Sequence, residues 1–355
     1  MVLHCYDGLK PAFRQVVARD CIMSETVNIG EIAEQLVQDI FSYFKWSIKP
    51  RWNENFECHC PHHLTPERKP KDKHPGDVIF HYEDPYLGST IYLHSDLKSY
   101  KTATITKAKV REAFKSLAMT IECAKESSSW RNTFSIDASE EHDVRGLLIV
   151  HNHDHGYQKS FHDLIENIGF DSTPVAVNVC MHFFGPEDLM RMYSIANDIM
   201  RLTQQNRISS DYTFYYPDLV MRHRQGDVWG QPATVEALTS PYLILQHRGT
   251  QSTGETEAGY VVYYNRPGAS PEEFEYLLDS FSRYQMLESG KDVQIRVTHK
   301  SPHHDVVANF NLAKNKYAKM WGFDPIREAI LSGIKIAPIS SMVDSYKIGW
   351  MGWRE

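Results

Sequence analysis

The run Ile91-Tyr92-Leu93-His94-Ser95-Asp96-Leu97-Lys98 restricts the chain more tightly than its bulk properties do. It is rich in β-branched and aromatic residues, so it reads as a strand, and successive side chains of a strand point to opposite faces. Ile91, Leu93 and Leu97 then share one face, and His94, Asp96 and Lys98 share the other. The Cα atoms of Asp96 and Lys98 come about 6.6 Å apart along such a strand, close enough for one metal ion or one phosphate to touch both side chains. A second strand is expected over Gly76-Asp77-Val78-Ile79-Phe80, and Pro85 and Gly88 suit a turn between the two, which predicts a hairpin. Asp77 opens the neighbouring strand of that hairpin.

A chain of 355 residues suits two closely packed domains. With 42% hydrophobic and 23% charged residues the composition is that of a globular protein. The formal net charge of -7 means that a nucleic-acid binder of this sequence needs a local basic patch, since its global field is repulsive. Met1 to Lys10 lacks the apolar core of a signal peptide, and no run reaches the length of a membrane span, so a cytoplasmic protein without a membrane partner is expected. Six scattered cysteines point to reduced thiols rather than a disulfide framework. No G-x-x-x-x-G-K-[ST] motif occurs, so energy from nucleotide hydrolysis would have to come from another chain.

Along the chain, a short helix is expected over residues 9–20, and a longer one carries Ala33, Leu36, Val37, Ile40, Phe41 and Phe44 at three- and four-residue spacing. Trp46 to Ile48 suits a short strand. Five prolines interrupt residues 50–76, which read as an insertion loop. After the hairpin, Thr106 caps a helix whose buried face is Val110, Phe114, Leu117, Ala118, Ile121 and Ala124, and Leu147 to Val150 forms a strand. Farther on, strands are expected at Val175 to Phe183, Tyr212 to Tyr216, Tyr242 to Leu245, Tyr260 to Tyr264 and Val293 to Val297. Helices are expected from Pro186 to about Gln205, from a capping box at Ser270-Pro271-Glu272-Glu273, and twice over residues 304–331.

In this order the first half resembles the PD-(D/E)XK nuclease superfamily over about residues 29–153. Pro75-Gly76-Asp77 stands where the family has its first acid, with one residue between Pro and Asp, and Asp96-Leu97-Lys98 matches its acid-X-Lys triplet. The resemblance implies a mixed α+β (α/β) fold with a restriction-endonuclease-like αβββαβ core, followed by an α+β C-terminal domain. It divides the chain into an N-terminal extension at 1–28, a nuclease-like domain at 29–170 and a recognition or regulatory region at 171–355. It also implies a phosphodiester hydrolase using Mg²⁺, for which Mn²⁺ can substitute, bound by Asp77, Asp96, the Leu97 carbonyl and a helix acid, Glu34 or Glu31. Lys98 would orient the water. DNA is the expected substrate, and restriction, repair or phage defence the expected setting, with a sensor subunit or a second copy as partner.

Around these acids lie Arg68, Lys69, Lys71, Lys73 and His74 on one side and Lys101, Lys107, Lys109 and Arg111 on the other, a basic bracket suited to a phosphate backbone. Cys58, Cys60, His62 and His63 are donors of the kind that hold Zn²⁺, but their spacing matches no standard finger, and a loop with coincident Cys and His is preferred. A rival enzyme reading is a zinc hydrolase in which His151, His153 and His155 bind metal and Asp154 or Asp163 assists; an exposed polar strand end is preferred to it. A third reading is a non-catalytic subunit that binds nucleic acid or protein through Tyr215, Tyr216, Tyr263, Tyr264, Trp350 and Trp353, most of which are expected in the core.

Overall fold

The computed structural model describes residues 34–339 apart from 66, 169–177, 218–228, 250–256, 289, 321 and 323. The helix expected over 9–20, Glu31, Trp350 and Trp353 lie outside the described residues. Residues 34–39 are helical and run into a 3-10 turn at Phe41–Phe44, with Leu36, Ile40, Phe41 and Phe44 buried as their spacing demands. The expected hairpin is present. β4 (Val78–Glu83) and β5 (Thr90–Tyr100) pair antiparallel from Val78↔Ser95 to Glu83↔Thr90. In the turn between them the Asp84 carboxylate accepts from the N–H groups of Tyr86 and Leu87, and Gly88 takes a positive φ of 66° that suits its lack of a side chain.

β1 (Ser47–Ile48) pairs antiparallel with β4, β6 (His142–Asn152) pairs parallel with β5 along eleven residues, and β7 (Met181–Phe184) pairs parallel with β6. The sheet order is β1-β4-β5-β6-β7. Between β5 and β6 lies α1 (Lys107–Glu126), whose N-cap Thr106 hydroxyl accepts from the Lys109 N–H at 3.3 Å and whose apolar side covers the sheet through Val110, Leu117, Ile121 and Ala124. A short α2 (Ser128–Thr133) follows and buries Trp130. Helix, three strands, helix and strand thus occur in the expected order.

Two boundaries differ. The segment 50–76 is not a plain loop: β2 (Glu54–Glu57) and β3 (Lys73–Gly76) form a two-stranded antiparallel arm, with a further bridge between Leu64 and Pro70. Pro75 lies within β3, and in a two-stranded arm each strand has an open edge on which a proline is tolerated. The first sheet also extends to Phe184, past the boundary expected at 170.

After a short α3 (Phe161–Glu166) and the long α4 (Pro186–Gln204), a second sheet has the order β12-β11-β10-β9-β8. Its strands are β8 (Tyr212–Phe214), β9 (Tyr242–His247), β10 (Gly259–Tyr264), β11 (Asp292–Val297) and β12 (Lys335–Pro338). α5 (Val235–Thr239) precedes β9. α6 (Pro271–Arg283) connects β10 to its parallel neighbour β11, and α7 (Val306–Met320) and α8 (Pro325–Gly333) connect β11 to parallel β12. The capping box expected at Ser270 is not formed. Glu273 turns instead to the N–H groups of Gly268 and Ala269 and the Tyr264 hydroxyl, outside its helix.

α4 lies between the sheets. Its Leu189, Met192, Ile195 and Ile199 share one core with Leu147 and Ile149 of β6 and with Val261 and Tyr263 of β10. Among the described residues no helix is long and apolar enough to cross a membrane.

Candidate active site

Asp77 occupies the corner between β3 and β4, and several buried groups hold that corner. The Pro75 carbonyl accepts from His94 Nε2 at 3.0 Å. The other nitrogen of that ring, Nδ1, accepts from Trp130 Nε1 at 3.0 Å, so the proton of this imidazole resides on Nε2. Gly76 fits under the Phe134 ring, where a Cβ would come within 2.6 Å of the Phe134 Cζ and 3.1 Å of the Glu54 carbonyl. The residue between Pro75 and Asp77 is therefore small because two chain segments meet there. On the far side, the Asn53 N–H donates to the Asp77 carbonyl at 2.8 Å.

β4 begins at Val78, opposite Ser95, so β5 runs past the end of its antiparallel partner at Asp96-Leu97-Lys98. The Asp77 carboxylate fills the gap, with Oδ2 accepting from the Leu97 N–H at 2.9 Å. Asp96 and Lys98 share a face, as the period-2 pattern predicts, and the Lys98 Nζ stands 2.6 Å from Asp96 Oδ1. Ile91 and Leu93 point the other way into the core beneath α4, and Leu97 packs against it.

The electrostatics of this group follow from its partial burial. Removal from water, and after it the charge of Asp96, push the Asp77 carboxyl up to about 7, while the Leu97 N–H and the Lys98 ammonium pull it down. Burial works to lower the Lys98 ammonium, and the Asp96 carboxylate beside it wins, leaving its pKa raised. A carboxyl raised by burial and by a neighbouring carboxylate, with an ammonium beside that neighbour, makes a site that a cation stabilises. Hard oxygen donors of this kind fit Mg²⁺ or Mn²⁺.

The other sequence-derived candidates are scattered. Glu34 is exposed on the helical segment at 34–39, and among the described residues no hydrogen bond or ion pair joins it to Asp77 or Asp96. Lys69, Lys73, Lys101, Lys107, Lys109 and Arg111 are exposed, Lys109 being paired with Glu112 at 2.8 Å. His74 is fully buried and cannot reach a backbone phosphate, which corrects its place in the basic bracket. Lys71 is partly buried and within electrostatic reach of Cys58 and Cys123.

Asp154, the assistant of the rival zinc hydrolase, is occupied by the N–H and hydroxyl of Thr102 and by Asn152 Nδ2. Among the described residues no trio of potential ligand atoms within 4.8 Å of one another includes His151, His153 or His155. Tyr216, Tyr263 and Tyr264 are buried and Tyr215 bonds the Tyr284 carbonyl, so these aromatics are core residues rather than a stacking surface. Sequence reasoning put His94 on the face of Asp96 and Lys98 but missed that it, with Trp130 and Phe134, holds the Asp77 corner. A Trp on a short helix carries no local signal of that role.

Residues 23–188 match a family described as the GAPS4 protein PD-(D/E)XK nuclease domain. No curated protein and no solved structure matches the chain.

Proposed function

We propose that this chain, whose residues 23–188 form a PD-(D/E)XK nuclease domain, is a Mg²⁺-dependent endonuclease that hydrolyses phosphodiester bonds in DNA. The observation that carries this reading is the end of β5, where Asp77 receives the Leu97 N–H at 2.9 Å and Lys98 stands 2.6 Å from Asp96. Asp77, Asp96 and the Leu97 carbonyl would hold the metal, with Glu34 or Glu31 as the helix acid; once bound, Mg²⁺ neutralises charge on the phosphate and favours ionisation of water. A strand residue turns its N–H and C=O to the same side, which brings the Leu97 carbonyl toward Asp77.

The chain's own groups do the rest. The Leu97 N–H fixes the Asp77 carboxylate. Lys98 orients the attacking water and stabilises negative charge on the phosphoryl oxygens, a contribution that preorganised cations make strongly in a partly dry site. Water oxygen bonds to phosphorus as it gives up a proton to solvent, the ester P–O bond breaks with its electron pair going to the leaving oxygen, and that oxygen takes up a proton from solvent. Lys69, Lys73 and Lys101 grip the backbone on either side without reading sequence, with Lys71 at the edge of that patch. A restriction or anti-phage defence system is the setting we infer, with a sensor chain or a second copy as partner.

Purified full-length protein incubated with duplex DNA, single-stranded DNA and RNA, each with Mg²⁺, Mn²⁺ or EDTA, tests this. Cleavage of DNA that needs the divalent ion and disappears in Asp96→Ala, with unchanged circular dichroism, is the expected result. Cleavage that persists in Asp96→Ala overturns the site, and a preference for RNA overturns the substrate.

A further inference from the structure

We infer that Cys58, His63, His74 and Cys123 form a tetrahedral Zn²⁺ site that clasps the β2–β3 arm to α1, separate from the nuclease acids. Cys58 follows β2, His63 lies in the bend of the arm, His74 is in β3, and Cys123 comes from α1. Their four ligand atoms all lie within 4.8 Å of one another, and His63, His74 and Cys123 are buried.

Four of the six spacings match the edges of a zinc tetrahedron. With Zn–S of about 2.3 Å and Zn–N of about 2.0–2.1 Å, its edges are about 3.8 Å for S···S, about 3.5 Å for S···N and about 3.3 Å for N···N. In this chain Cys58 Sγ lies 3.6 Å from Cys123 Sγ, His63 Nδ1 lies 3.5 Å from Cys58 Sγ and 3.4 Å from Cys123 Sγ, and His63 Nδ1 lies 3.3 Å from His74 Nε2. A disulfide would need the sulfurs at about 2.05 Å, so these two thiols are not bonded to each other.

Hydrogen-bond accounting turns both imidazoles the right way. Thr120 Oγ1 gives its proton to the Ser116 carbonyl at 3.0 Å, so it accepts from His74 Nδ1 at 3.1 Å and leaves the lone pair of His74 on Nε2. Glu122 Oε2 lies 3.1 Å from His63 Nε2, and an ionised carboxylate only accepts, which leaves the lone pair of His63 on Nδ1. Two neutral rings then face each other lone pair to lone pair at 3.3 Å, a contact that is relieved by a proton or a metal cation between them, and the two sulfurs at the same point favour the metal. A carboxylate and a hydroxyl behind the two histidines are the outer partners that metal-bound imidazoles carry. Two thiolates and two neutral imidazoles would balance Zn²⁺, the two thiol protons passing to solvent.

A second group, Cys60, His62, His63 and Glu122, shares His63 but is a poorer candidate. It is more exposed, and Glu122 already holds the outer nitrogens of His62 and His63 at 3.0 and 3.1 Å. Because His74 stands three residues before Asp77, the clasp also holds the strand that delivers the first nuclease acid.

The test is elemental analysis and zinc-edge X-ray absorption on the full-length protein purified without chelator. Near-stoichiometric zinc with two sulfur and two nitrogen neighbours is expected. Cys58→Ser and Cys123→Ser should reduce zinc to background, whereas Cys60→Ser and His151→Gln should retain it. Because a clasp variant can fail to fold, cobalt-loaded wild-type protein supplies a second readout: tetrahedral d–d bands with thiolate charge transfer are expected. Protein without zinc, a coordination shell lacking sulfur, or zinc lost from Cys60→Ser or His151→Gln and kept by Cys58→Ser would each overturn the proposal.

Discussion

At the scale of single residues, the corner at Gly76-Asp77 carries more constraint than its sequence announces. Asp96 and Lys98 are legible because strand periodicity is a local property, whereas Asp77 stands at the corner before β4 and not on a strand beginning at Gly76 as expected. That Asp77 accepts from the Leu97 N–H is not legible, because it depends on β5 outrunning β4 at Ser95. Gly76 is equally silent, its requirement coming from Phe134, fifty-eight positions away in sequence. Gly76→Ala would drive a methyl to 2.6 Å from the Phe134 ring and 3.0 Å from His94, both buried, so something in the corner must move. The expected cost is about 1–3 kcal/mol, read as a lower urea midpoint, together with slower cleavage because Asp77 is displaced. An unchanged midpoint would mean that the corner is looser than its contacts imply.

At the scale of elements, helices and strands were legible wherever an apolar period met a capping or turn residue. The helix at 107–126 with its Thr106 cap, the one at 186–204 and the hairpin are of this kind. The arm at 50–76 was not, since its strands are short, polar and proline-bearing and are held by tertiary contacts rather than by their own pattern. α3 is tied to α4 by His162, whose Nε2 lies 3.2 Å from Asp188 Oδ1 and 3.7 Å from Glu187 Oε1, and by the Phe161 N–H, which donates to Glu187 Oε1 at 3.1 Å. The hydrogen bond to Asp188 raises the His162 imidazole above its ordinary value, against the effect of burial. A histidine raised on folding contributes stability that is fully present below its unfolded pKa of about 6.5 and is lost as pH rises through the folded value. His162 is more than half exposed, so solvent screening holds the effect to within about 1 kcal/mol. Urea midpoints of wild type and His162→Gln should therefore differ at about pH 6 and converge toward about pH 9; a constant difference across that range would remove the pair as its cause.

At the scale of the whole molecule, the two sheets are joined through α4 by both apolar and ionic contacts. Trp46 Nε1 donates to the Ala233 carbonyl at 2.6 Å, and Phe44 packs on Phe214, so the N-terminal helix region reaches the second sheet directly. Asp198 of α4 receives Arg296 of β11 in a two-pronged bond, Nε to Oδ2 at 2.9 Å and Nη2 to Oδ1 at 2.6 Å, with Asp198 wholly buried. Asp198→Ala leaves the Arg296 guanidinium buried without its partner, which should cost about 3–5 kcal/mol and lower the thermal midpoint of both sheets together. Separate transitions for the two sheets would show that they fold independently.

The amino-acid order alone determined the alternating face of Ile91 to Lys98, the amphipathic helices around it, and hence the resemblance to a metal-dependent nuclease, because each is set by residues within a few positions of one another. Only the tertiary structure decided which histidines and cysteines meet. Cys58 and Cys123 lie 3.6 Å apart across 65 positions of sequence, and His74 joins them from a strand that reads as part of a loop. Spacing rules see ligands that are neighbours in sequence, and this cluster is assembled by packing an arm on a helix.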